Sequence, residues 1–135
     1  MIAVDTSVAV AVALPWHEAH VAARAELPRD RTPLLAQVGV ETYSVLTRLP
    51  SPQRVPPSIA RAFLMRTFEL PALTLSANGY AQLLDVAGAE EIAGGAVYDA
   101  LVAATAREAR VTLLTLDRRA IATYRLLGAD YRLVE

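Results

Sequence analysis

The chain has 135 residues, 54% of them hydrophobic and 20% charged, with no cysteine. That length suits one domain, residues 1–135, whose core needs no disulfide or structural metal; thiolate zinc sites and cysteine nucleophiles are excluded. All thirteen basic residues are arginine and face fourteen acids, for a net charge of −1, so global charge does not announce a nucleic-acid binder and no chemistry here uses a lysine amine.

In chain order, MIAV (1–4) reads as a short buried strand. SVAVAVAL (7–14) starts a helix that Pro15 interrupts, and WHEAHVAARAEL (16–27) makes a second helix up to Pro28. His17 and His20, three apart, read as exposed helical residues rather than a metal pair. PLLAQ (33–37) is the next strand and VGVETYSVLTRL (38–49) a helix. PSPQRVPPS is a loop whose Ser58 is expected to cap the helix IARAFLMRTF (59–68). PALTL (71–75) is a strand, and Ser76 caps ANGYAQLLDVA, which stops at Gly88. Gly94 and Gly95 lead into the helix carrying Asp99. VTLLTL (111–116) is a strand, DRRAIATYRLL (117–127) a helix stopped by Gly128, and YRLV (131–134) a last strand.

Strands alternating with helices predict an α/β fold, a parallel central sheet with helices on both faces. There is no internal repeat, low-complexity tract or interdomain linker. SVAVAVAL is too short to span a bilayer, and Asp5 stands where a signal peptide wants positive charge. The expectation is a cytoplasmic protein with no membrane association.

Four acids share one topological position. Asp5 follows the first strand. Glu41 follows the second by a few residues, in the expected first turn of its helix. Asp117 follows the TLLTL strand. Asp99 opens a helix whose positions three, four and seven residues on are the apolar Val102, Ala103 and Ala106. Each alone reads as well as a cap or a first-turn acid. Together they fall where strand C-termini line one edge of a parallel sheet, the edge at which ligands bind. Clustered carboxylates repel unless a cation sits among them, and oxygen-only ligands suit Mg²⁺ or Mn²⁺. Such an ion activates water and clamps a phosphoryl oxygen, so the chemistry implied is metal-dependent phosphodiester hydrolysis. Thr6 and Ser7 beside Asp5, and Thr115 before Asp117, are placed to support the acids. Arg118 and Arg119 are candidate phosphate contacts, because the start of a helix disfavours positive charge.

At VDTS, VGVETYSVL, AVYDALVAATARE and LLTLD the sequence resembles the PIN-domain family, specifically the toxin ribonucleases of VapBC toxin–antitoxin modules. Order and spacing agree over nearly the whole chain. The resemblance implies a metal-binding quartet of Asp5, Glu41, Asp99 and Asp117, with Thr115 and Ser7 in supporting positions. It implies a Mg²⁺- or Mn²⁺-dependent endoribonuclease acting on an RNA substrate, a cognate VapB-type antitoxin and a homodimer. A receiver domain would need a lysine. A haloacid-dehalogenase-type phosphatase would need an aspartate where Ser7 stands, and a P-loop enzyme a glycine-rich loop ending in lysine. A further Mg-dependent phosphoryl-transfer α/β enzyme and a catalytically inactive PIN-like interaction module are the alternatives. Val8, Val10, Val12, Leu14 and Trp16, and Phe63, Leu64, Met65 and Phe68, put apolar residues on more than one helix face. Most suit the core; the surplus predicts an exposed apolar groove. In the resembled family this region receives the antitoxin's C-terminal segment, which makes Trp16 and Phe63 candidate antitoxin contacts.

Overall fold

The first strand, β1 (Ile2–Val4), pairs in parallel with β4 (Thr112–Thr115), and β4 in turn with β5 (Tyr131–Leu133). In register, Val4 lies opposite Leu114, and Thr115 opposite Leu133. A second parallel pair joins β2 (Thr32–Leu35) to β3 (Phe68–Leu73), with a local irregularity between Pro33 and Leu35. β2 lies beside β1, so the two pairings adjoin as expected for an α/β sheet. The computed structural model describes all residues, 1–135.

Seven helices connect and cover the strands. α1 (Thr6–Ala13) has an alternating Val-Ala pattern that would suit a strand, yet it is helical. Asp5 is the reason at its start: its side chain accepts the Val8 N–H as an N-cap. Burial on several faces explains the rest, because Val8, Ala9, Ala11 and Val12 are all inside, against α2 (His20–Glu26) and α3 (Ala36–Thr47). α4 is Pro57–Thr67, α5 Ala77–Ala89, α6 Ala96–Ala109 and α7 Ile121–Leu126. The main core holds 26 buried residues, with Leu35, Phe68, Leu113 and Leu114 among its largest side chains. Leu14, Leu46 and Ala60 form a small separate cluster where α3 meets α4.

Several expected boundaries move. Trp16–Ala19 is a turn rather than helix, since His17 Nδ1 accepts the Ala19 N–H and delays α2 to His20. Pro56, not Ser58, caps α4, because Pro57 takes the first helical position, where its missing N–H is harmless. β2 ends at Leu35, so α3 starts at Ala36 and Glu41 lies in its second turn, not its first. β3 begins at Phe68, three residues before the expected Pro71, and α5 runs through Gly88 to Ala89. Gly128 ends α7 as expected: its φ of +72° is open to glycine, and its N–H bonds the Arg125 carbonyl.

Candidate active site

The C-terminal ends of β1 and β4 lie side by side, which puts Asp5 next to Thr115 and the residues after it. Asp5 is 3% exposed and carries four hydrogen bonds. Its Oδ1 accepts from Ser7 Oγ at 2.5 Å and from the Val8 N–H at 3.2 Å. Its Oδ2 accepts from the Thr115 hydroxyl and from Tyr124 Oη at 2.8 Å. Burial raises its carboxyl above the usual carboxylate range, and the four hydrogen bonds pull the other way.

The two hydroxyls bonded to Asp5 also fix the chain beyond β4. Ser7 Oγ accepts the Leu116 N–H at 2.9 Å, and Thr115 Oγ1 accepts the Asp117 N–H at 3.0 Å. Asp117 therefore hangs on the same hydroxyl that donates to Asp5. Its own carboxylate accepts the Arg119 N–H at 3.0 Å and so caps a turn. The expected helix from 117 is this turn followed by α7 at Ile121. Arg118 and Arg119 are exposed on the turn, and Arg118 lies 3.9 Å from Glu135.

Glu41 reaches the same edge from α3. Its Oε2 accepts from Thr6 Oγ1 at 2.7 Å, and its Oε1 accepts from Gln37 Nε2 at 2.6 Å. Asp99 is in the first turn of α6, with Val102, Ala103 and Ala106 buried beneath it. Burial first, then the charges of Asp117, Glu41 and Asp5, pushes its carboxyl up to about 6. The expected four acids thus converge electrostatically on Asp99. Neither ion pair of the structure, Arg118–Glu135 or Arg132–Glu26, involves them. The four carboxylates are not gathered into a ready-made ligand cage; they line an open edge.

Sequence reasoning missed two residues. Tyr124 is 2% exposed, and burial first, then the charge of Asp5, drives its phenol strongly upward, so it stays a hydrogen-bond donor. Its signal lay in helical spacing: Tyr124 falls on one buried face with Ala120 and Leu127, the residues that flank α7. Gln37 stands one helical turn before Glu41, the spacing at which side chains meet.

Two hollows flank this region. Beside Asp117, Thr6, Ser7, Val10, His17, Glu18, Val45 and Leu116 line a cleft of about 490 Å³. On the far side of α3, a more apolar groove of about 670 Å³ runs between Val40, Tyr43, Arg61, Leu64 and Met65. The expected surplus of apolar surface is here rather than on α1, where Val8, Val12 and Leu14 are core. Phe63 is partly buried and meets Phe68 edge-on at 6.0 Å, and neither it nor Trp16, which is 59% exposed, lines the groove.

A PIN domain family profile matches residues 2–126. Ribonuclease VapC40 of Mycobacterium tuberculosis is 47% identical over 134 residues, 99% of each chain, in two strains of that species. Ribonuclease VapC27 of the same species is 45% identical over 127 residues, 94% of this chain and 92% of the relative. Among solved structures, a chain of FitAB bound to an IR36 DNA fragment superposes with a TM-score of 0.73 over 98% of this chain and 94% of that one. At 20% identity, that likeness speaks for the fold.

Proposed function

The chain belongs to the PIN-domain family, among its VapC-type ribonucleases, and from that premise we propose that it is the toxin of a type II toxin–antitoxin module, a Mg²⁺- or Mn²⁺-dependent endoribonuclease. The observation that carries the reading is the mutual charge of Asp99, Asp117, Glu41 and Asp5 at one sheet edge, with no arginine paired to any of them. No helix is long and apolar enough to cross a membrane.

The donor set consists of carboxylate oxygens, which suits a hard divalent cation and excludes a soft one. Asp5, Glu41, Asp99 and Asp117 would hold it. When bound, such an ion supplies an activated water and a clamp on the phosphoryl oxygen. The other residues keep these acids in place. Thr115, Ser7 and Tyr124 fix both oxygens of Asp5, Thr6 and Gln37 fix Glu41, and Thr115 fixes the backbone of Asp117. Asp99 makes no such bond and is the acid whose charge the others most oppose. It is the member whose proton and position are least committed by the fold.

A catalytically inactive interaction module is the second reading, and the complete set of four acids speaks against it. A VapB-type antitoxin and a homodimer complete the proposal. The antitoxin's apolar segment suits the groove between α3 and α4, whose walls are mostly aliphatic and aromatic. RNA incubated with the purified chain and Mg²⁺ or Mn²⁺ should be cut internally, and EDTA should abolish the cuts. Cleavage that persists in EDTA would remove the metal from the proposal, and no cleavage of any RNA would remove the nuclease.

A further inference from the structure

The cleft beside Asp117 is built from parts that a phosphate would avoid. Apart from Asp117, whose charge the proposed cation would offset, its one charged lining residue is the acid Glu18, and no arginine lines it. A phosphodiester carries its own negative charge, so Coulomb repulsion disfavours it there. An uncharged heterocycle meets no such opposition. Val10, Val45 and Leu116 supply apolar walls, and the volume of about 490 Å³ is in the range of small-molecule sites.

The polar groups of the cleft form a donor and an acceptor. His17 Nδ1 accepts the Ala19 N–H at 3.0 Å, so in the neutral ring the proton sits on Nε2, where no hydrogen bond of the chain uses it. Glu18 is exposed and joins neither ion pair. An imidazole N–H and a carboxylate in one cleft match the donor–acceptor pattern of an unpaired base edge, which is how proteins read single-stranded RNA.

We propose that this cleft receives one unpaired RNA base next to the scissile phosphate, with His17 Nε2–H and the Glu18 carboxylate reading its edge. The proposal rests on the ribonuclease reading and adds to it where sequence preference resides. An amino-bearing base suits the carboxylate best. Uracil suits it least, because carbonyl oxygens flank its one N–H and face the same negative charge.

Trp16 is the sole tryptophan, and its ring lies 6.4 Å from that of His17, so its emission reports on the cleft. The test is a fluorescence titration of the full chain in EDTA with each of the four ribonucleosides, and with inorganic phosphate as the anionic probe. At least one amino-bearing nucleoside should change the emission saturably, uridine least, and phosphate should neither mimic nor displace it. In His17→Asn the side-chain oxygen still accepts the Ala19 N–H, so the turn is kept while the Nε2 donor is lost. That variant and Glu18→Gln should each weaken nucleoside binding by about fivefold, the worth of a single hydrogen bond. With Mg²⁺ and RNA, both variants should cut with a changed sequence preference. Four silent nucleosides, competition by phosphate, or unchanged affinity in both variants would overturn the proposal. If wild type cuts no RNA, the ribonuclease reading fails on its own, and the nucleoside titration still decides the cleft.

Discussion

The hydroxyl of Thr115 donates to the buried carboxylate of Asp5 across 110 residues of sequence, and the same oxygen accepts the backbone N–H of Asp117. One side chain therefore couples two of the four acids. The parallel pairing of β1 with β4 makes the contact possible, because it brings the two strand ends together. Thr115→Val keeps the shape and removes both bonds. It should lower stability by roughly 1–3 kcal/mol, the usual worth of a hydrogen bond to a charged group. RNA cleavage should fall by about 10–100-fold, the range for a residue that orients a ligand. Urea denaturation and initial cleavage rates check the two parts separately.

Tyr124→Phe removes the other donor to Asp5 Oδ2 while leaving the ring in the core. A loss of about 1–3 kcal/mol is expected. In an Asp5→Asn background the same change should cost less, since a neutral amide needs the donor less than a buried carboxylate does. A double-mutant cycle by denaturation measures the difference, and equal losses in both backgrounds would mean that the hydroxyl does not act through Asp5.

Asp99 gives the stability a sign in pH. Its folded carboxyl is raised to about 6 from 3.8, chiefly by burial and then by Asp117, Glu41 and Asp5. Between these values the folded state holds the proton more tightly than the unfolded one, so stability falls as pH rises from about 4 through about 6. Asp99→Asn should flatten that decline and melt higher than wild type at pH 8. Near pH 4, where wild-type Asp99 is protonated in the fold, the two should converge. Thermal melts across this range check it, and parallel profiles for the two proteins would contradict the assignment.

Much of this edge was legible in the sequence, and what was not has a physical reason. An acid just after a buried strand is visible in one dimension, which is why Asp5 and Asp117 stood out, and Asp99 stood out as a lone charge at the start of an apolar helix. Val102, Ala103 and Ala106 marked the buried face under Asp99 by spacing alone, and the fold buries all three. The start of α3 was misread because nothing in the local sequence separates strand from helix at Ala36–Gln37; pairing of Leu35 with Leu73 ends the strand there. That shift also hid Gln37, which becomes a partner of Glu41 only once both lie on one helix. Tyr124 was invisible as a site residue because its partner lies 119 positions away. The groove was half placed: α4 walls it through Leu64 and Met65 as expected, but the other wall is Val40 and Tyr43 of α3, because Val8, Val12 and Leu14 at and after α1 are buried in the core.

The metal leaves a signature independent of RNA. Millimolar Mn²⁺ should raise the melting temperature of wild type at pH 8 by relieving the repulsion among the acids, through mass action on the folded state. The rise should shrink in Asp99→Asn, and EDTA should reverse it. A melting temperature indifferent to both Mn²⁺ and EDTA would count against the four acids as a metal site.

The most direct measurement compares wild type with Asp99→Asn on the same RNA in the presence of Mg²⁺ or Mn²⁺. The substitution keeps the shape and touches no hydrogen bond that holds the fold, so a folded protein should result. If the four acids carry the reaction, its cleavage rate should drop by more than the roughly 100-fold that losing a supporting residue costs. A folded Asp99→Asn protein that cuts RNA as fast as wild type would contradict the account at its centre.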